Sequence, residues 1–457
     1  MTVLGLRNGW AGKLTPVLRD YYLKTPPDAT CNLLIETGGG HATKIAELVR
    51  NNQGKLGRKF EFLPFLAAEV PYSAVKELAK SPLVAKLWHD ATVYAMLDKA
   101  APGLGVTVAQ ETGYSGKGVV IAILDTGIYP HEDLIKPDNR ILAWNDLLKH
   151  EKKPYDDNGH GTQIAGIIAG NGYSSGGRLK GMAPGSWLVG IKVLDQYGRG
   201  RVSDVIAGLE WCLKSLPSLN IKIINLSLGT AAQDVYRRDP LCRAAALAWR
   251  KGITIFSAIG KGNEKVLNLN SPGIYPGIVK VAGLNRQEAI IADDAGLTSP
   301  VVAGNPGLFL KPDLVAPDNQ ITSINIEGDY SIISGASAAA PLAAGCAALI
   351  LERMPNLNPS QLKQQLIQSA KDLGLGRSLQ GAGALSLERV FRPKRLSQGL
   401  NMLPSGPEII GNLLKLMRSD FLKSPVGNEL LTNLMGVLMR KLVEPAGYNS
   451  PDGPPDN

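Results

Sequence analysis

Five short runs between residues 119 and 284 are apolar almost without a break: V-V-I-A-I-L, S-W-L-V-G-I-K-V-L, I-K-I-I-N-L-S-L, I-T-I-F-S-A-I and I-V-K-V-A-G-L. A strand that rests one face in water alternates polar and apolar residues; these do not, so both faces must be covered. Between them lie stretches of helical period, such as S-D-V-I-A-G-L-E-W-C-L. Buried strands alternating with helices predict an α/β fold, a mostly parallel sheet with helices on both faces. In such sheets the chemistry gathers at the carboxyl ends of the strands.

The preceding chain has a different texture. Residues 1–30 form an N-terminal extension with one helix, L-T-P-V-L-R-D-Y-Y-L, ending at T-P-P-D. N-L-L-I-E-T then reads as a strand and H-A-T-K-I-A-E-L-V-R-N as an amphipathic helix. K-F-E-F-L and F-L-A-A-E-V suggest two strands, S-A-V-K-E-L-A-K a helix, and V-A-K-L-W-H-D-A-T-V-Y-A a last extended piece. That βαββαβ order predicts a ferredoxin-like unit over 31–97. The α/β domain is assigned to 98–395. Residues 396–457 form a helical C-terminal extension, through I-I-G-N-L-L-K-L-M and L-L-T-N-L-M-G-V-L-M-R-K-L-V, with a disordered end.

The formal net charge of +9 raises the question of a polyanionic partner, but the basic residues are scattered and no Arg-rich arm stands out. No nucleic-acid partner is expected. No apolar run is long enough to predict a membrane span. Cys31, Cys212, Cys242 and Cys346 lie far apart without metal-ligand spacing. With no secretory signal at the N-terminus, they read as reduced thiols in the cytoplasm.

Three motifs carry the chemistry. V-V-I-A-I-L-D-T-G-I places Asp125 directly after a buried strand. D-T-G also introduces the carboxylate of aspartic proteases, but the chain holds no second copy for the pair those enzymes need. D-D-N-G-H-G-T-Q sets His160 between glycines that permit close approach to an imidazole. I-S-G-A-S-A-A-A-P-L-A-A-G-C-A-A-L-I-L starts an all-apolar helix at Ser337. An N-cap serine is the plain alternative, although Ser334 could cap equally well. A serine hydroxyl becomes a nucleophile when an imidazole takes its proton and a buried carboxylate holds that imidazole.

Together, in the order Asp, His, Ser, these motifs resemble the subtilisin-like serine proteases (subtilases, peptidase S8) over roughly residues 100 to 390. G-M-A-P-G, K-V-L-D-Q-Y-G-R-G, N-L-S-L-G, S-P-G-I-Y-P, K-P-D-L-V-A-P and G-A-G-A-L add to the match, and G-I-Y-P-H-E-D-L, G-L-E-W-C and D-P-L-C-R-A resemble the intracellular AprX-type branch. The resemblance implies a serine endopeptidase with Asp125 orienting His160, His160 as general base and Ser337 as nucleophile. It implies protein or peptide substrates paired with backbone near Gly198, Gly200, Ser227, Leu228 and Gly229. It also implies that 31–97 is a propeptide, chaperone and inhibitor of its own protease, cut near Met96–Asp98. No cofactor is required by the chemistry; a structural calcium is common in the family, with Asp133 a weak candidate ligand.

The chain departs from the family pattern in places. G-A-S-A-A-A-P stands for G-T-S-M-A-A-P, and Gln163 replaces a second, noncatalytic histidine. Where the family ends a strand with A-A-G-N, this chain has A-I-G-K-G-N-E. An ungapped alignment puts Lys261 at the oxyanion position; two inserted residues would put Asn263 there. A compromised oxyanion hole raises the alternative of a pseudoprotease with a binding or regulatory role.

Overall fold

The computed structural model describes residues 9–38, 41–95, 113–259, 271–284, 312–318 and 320–391. The chain divides into a compact unit 1–393 and a second unit 394–457, and the described residues all belong to the first. Lys261, Asn263, the 96–98 segment and the C-terminal helices therefore lie outside the described residues.

The centre is a seven-stranded sheet in which every registered pair is parallel. It contains β6 (Val120–Asp125), β7 (Ile141–Asp146), β8 (Trp187–Lys192), β10 (Ile221–Leu226), β12 (Thr254–Ile259), β13 (Val279–Leu284) and β14 (Leu314–Pro317), in the order β14-β13-β12-β10-β6-β8-β7. All residues of β6 and β12 are buried, as unbroken apolar runs require. The five runs read from sequence supply five of the strands; β7 and β14 complete the sheet. β7 is buried only at its two ends and closes on W-N-D, so no long apolar run announces it.

One face is covered by α4 (His160–Ala169) and α7 (Ala336–Arg353), the other by α5 (Val202–Leu219) and α6 (Pro240–Arg250). Every residue of α7 from Ser337 to Leu351 is buried. It is long and apolar enough to cross a membrane, but 83% of it is buried inside the protein, so it reads as the central helix of a core. Its small residues allow close packing: a Cβ on Gly345 would sit 2.4 Å from Met182 Cβ.

The N-terminal region forms its own antiparallel sheet of β1 (Thr30–Thr37), β2 (Lys55–Lys59), β3 (Phe65–Pro71) and β4 (Val84–His89), in the order β2-β3-β1-β4. Two helices, α2 (Ala42–Asn51) and α3 (Tyr72–Lys80), complete the βαββαβ order. Strand alternation assigns the faces. Leu33, Ile35, Leu66 and Leu87 point to α2 and α3. Leu34, Phe65, Ala67 and Trp88 point the other way and share one core with Val205, Leu209, Leu241 and Ala245 of α5 and α6.

Two sequence expectations need correction here. K-F-E-F-L is not a strand: β2 is K-L-G-R-K, and residues 60–64 form a loop. Phe60 is drawn into the core against α5, and the amides of Glu61 and Phe62 donate to the Glu210 carboxylate at 3.1 and 2.8 Å, so they have no need of a ladder. The last extended piece is also two strands. β4 belongs to the small domain, whereas β5 (Thr92–Ala95) leaves it to join another sheet.

Candidate active site

Asp125 is the last residue of β6, and His160 is the first of α4. The two side chains meet, Asp125 Oδ1 to His160 Nδ1, at 2.7 Å, with Asp125 0% and His160 3% exposed. Two glycines make this approach possible. A Cβ on Gly161 would fall 2.2 Å from Gly127 O, and one on Gly127, whose φ is 141°, would fall 2.1 Å from Tyr155 O. The Gly161 amide also donates to Thr126 Oγ1 at 2.9 Å, tying the helix start to the strand end.

Behind His160, Asp156 fixes the first turn of α4. Its Oδ2 accepts from the Thr162 amide at 2.9 Å and from Thr162 Oγ1 at 2.7 Å, and its Oδ1 from the Asn158 and Gly159 amides. Burial alone would lower the His160 pKa; the Asp125 charge and hydrogen bond, with Asp156 behind, outweigh it and raise the imidazole above its ordinary value. The pair thus steadies positive charge on the ring, which a general base must carry once it has taken a proton.

Ser337 lies in the first turn of α7, fully buried, after Gly335 with φ 116°. Its Oγ, His160 Nε2 and Asp125 Oδ2 are buried without a hydrogen-bond partner among the described residues. Native cores rarely leave such atoms unpaired unless function needs them. The Ser337 carbonyl accepts from Ser227 Oγ at 3.0 Å, and Ser227 Oγ in turn accepts from Asn225 Nδ2 at 2.9 Å.

Ser227 leads directly into β11 (Leu228–Gly229), and β9 (Arg199–Arg201) lies nearby. Between them runs β5, so the three form a sheet in the order β11-β5-β9. Both pairings are antiparallel: Thr92, Val93 and Tyr94 face Arg201, Gly200 and Arg199, while Tyr94 and Ala95 face Gly229 and Leu228. Gly198 sits one step outside, closing the Asp195–Gly198 turn with its amide 2.9 Å from Asp195 O and φ 69°.

Asp133 is buried, and its carboxylate accepts from the Gly172 and Ser174 amides and from Tyr330 OH at 3.2, 2.8 and 2.8 Å. A calcium ion needs a shell of oxygen ligands; Asp133 faces N–H and O–H donors instead. Among the described residues no cluster of His, Cys, Asp or Glu could hold a metal.

The parallel sheet, the buried Asp–His pair at one strand end and the serine opening the central helix define an α/β serine hydrolase. The chain belongs to the subtilase family, Peptidase S8, which it matches over residues 116–384, and it is a subtilisin-like serine endopeptidase acting on proteins or peptides. It is 34% identical to serine protease AprX of Bacillus subtilis over 382 residues, 77% of this chain and 84% of that protein. It is 30% identical to subtilisin E of the same species over 339 residues, 73% of this chain and 82% of that one. In fold it is similar to fervidolysin from Fervidobacterium pennivorans, a keratinolytic enzyme related to subtilisin, with TM-score 0.62 at 18% identity, covering 80% of this chain and 61% of that chain.

The sequence gives no sign of Asp90 or Glu210, whose carboxylates accept from Ser203 at the start of α5 and from the Glu61 and Phe62 amides, partners far away along the chain. Lys192 had a signal, a lone cation in the otherwise apolar run V-G-I-K-V-L.

Proposed function

We propose that Asp125, His160 and Ser337 act as a catalytic triad that cuts peptide bonds through an acyl-enzyme. His160 Nε2 takes the Ser337 Oγ proton as Oγ attacks the scissile carbonyl, and returns it to the leaving amine; water then releases the acyl group by the reverse path. Asp125 holds the imidazole tautomer and stabilises its charge. The observation that carries this reading is the buried 2.7 Å Asp125–His160 contact together with the unpartnered His160 Nε2 and Ser337 Oγ. The Ser337 amide is one oxyanion donor by this reading, and Lys261 or Asn263 supplies the other.

We further propose that the ferredoxin-like domain is a propeptide and intramolecular inhibitor. β5 supports this, because it occupies both edges, β9 and β11, where an extended substrate would pair. The β5–β11 register advances one residue per residue toward Ser227, whose hydroxyl touches the Ser337 carbonyl. Self-cleavage near Met96–Asp98 follows. A cytoplasmic setting is in keeping with four free, buried cysteines.

The test compares wild type with Ser337→Ala by intact mass and casein hydrolysis. Wild type should appear as two fragments split near 96–98 and hydrolyse casein; Ser337→Ala should remain one chain and lose activity by about 10⁴- to 10⁶-fold. A cut Ser337→Ala chain, or an uncut but fully active wild type, would overturn self-maturation; retained hydrolysis would overturn the triad.

A further inference from the structure

Lys192 ends β8, lies in register beside Asp125, and is 0% exposed. An ammonium buried so deeply must have its hydrogens satisfied. It does: Nζ donates to Thr126 O at 2.5 Å, Asp157 Oδ1 at 2.6 Å and Leu194 O at 3.0 Å, which uses all its N–H bonds. The acceptors come from different places. Thr126 follows Asp125, Asp157 lies in the loop leading to His160, and Leu194 lies between β8 and β9.

The same junction is reinforced around the cation. Ile128 N donates to Tyr155 O at 3.1 Å, and the Lys192 ammonium lies 5.1 Å from the Tyr155 ring centre. Asp157 also takes Lys149 Nζ at 3.0 Å, and the two lysines hold its carboxyl below the usual range against the opposing pull of desolvation. The same two lysines thus hold Asp157 to the contact with Lys192.

We propose that Lys192 is a positioning residue for the hydrolysis: its ammonium pins the loop after Asp125 to the loop before His160, setting their contact before substrate arrives. The proposal rests on the triad reading. Lysine suits this junction better than an apolar residue, because two main-chain carbonyls and a carboxylate converge there and would otherwise be left unpaired. A misplacement near 1 Å between base and nucleophile costs about 10²-fold in rate, so small slack should be visible kinetically.

The experiment uses the full chain as purified, with a chromogenic peptide substrate. Lys192→Met keeps the side chain's length without donors or charge; kcat should fall about 10- to 100-fold while KM changes less than about threefold. Asp157→Asn, on the more exposed partner, keeps an acceptor oxygen for Lys192 and should lower kcat by a smaller factor with KM unchanged, the melting temperature being read alongside to confirm folding. The double variant should lose no more than Lys192→Met alone, because both changes break one contact. A folded Lys192→Met with wild-type kcat, or additive losses in the double variant, would overturn the proposal. If Lys192→Met does not fold, Asp157→Asn decides alone, and an unchanged kcat sinks the idea. Failure of the triad itself is separate: it would show as activity surviving Ser337→Ala, whatever Lys192 does.

Discussion

The protease core and its seam with the N-terminal sheet put buried carboxylates to opposite uses. In the core, Asp125 and Asp156 converge on an imidazole and on the helix that carries it. At the seam, carboxylates bind main-chain amides of the other domain. Asp90 accepts from the Ser203 amide at 2.9 Å and from Ser203 Oγ at 2.6 Å, capping α5 from outside. Glu210 does the reverse, accepting from the Glu61 and Phe62 amides. The core gathers charge around one imidazole; the seam satisfies helix and loop ends, which water could also do.

The largest effect should come from Asp125→Asn, which leaves His160 without its anionic partner. kcat should drop about 10⁴-fold, the cost of losing this carboxylate in a serine-protease triad. Hydrogen exchange in β5 of the uncut Ser337→Ala chain should not change when Asp125→Asn is added; faster exchange would break the separation between core and seam.

Next in size is Asp90→Ala in that same uncut chain. Loss of the cap should ease opening of the small domain by about 1–2 kcal/mol, read as about 5- to 30-fold faster exchange in β5. Exchange unaltered by this change would mean that apolar packing, with Trp88 and Leu34 fully buried, holds the seam alone.

A pH effect follows from the same residue. Burial raises the Asp90 carboxyl to about 6, against the hydrogen bonds from Ser203, and desolvation raises Asp204 beside it as well. A carboxyl with a higher pKa in the closed state favours closure when protonated. Its contribution is full below about pH 4 and is lost as pH rises through about 6. After correction for intrinsic exchange, β5 should open more readily at pH 7 than at pH 5, and Asp90→Asn should flatten that trend. The opposite slope would place the titrating group elsewhere.

The smallest effect should come from Lys86→Ala. Lys86 meets Asp234 at 2.5 Å, but both are partly exposed, at 20% and 10%. Such pairs contribute up to about 1 kcal/mol, so β5 exchange should rise less than about fivefold. A larger change would promote this pair, with the nearby Gln233–His89 and Arg243–Glu36 contacts, to the principal clasp.

How legible these regions are in the sequence follows the same division. β6, β10 and β12 can be read because burial on both faces removes polar residues from the run, and Asp125 stands out where that run ends. β7 escapes because it lies at the sheet's edge, where W-N-D is tolerated. K-F-E-F-L misleads because alternation produced by a loop docking on a helix mimics a strand. Asp90 and Glu210 owe their roles to Ser203 and Glu61, 113 and 149 positions away, so no local pattern betrays them; Lys192, whose partner Thr126 is 66 positions away, shows only as a lone cation in an apolar run.

β5 is the middle strand of its small sheet, bonded along both edges. Withdrawing it uncovers two facing rows of amides and carbonyls, set about 9–10 Å apart by the spacing of two ladders. That slot has the width of one extended chain. A helix, at about 10–12 Å with its side chains, does not fit, and its backbone groups are already spent on one another. By the reading proposed above, such a groove would act as a conformational filter, taking segments already unravelled and leaving folded proteins uncut until they open.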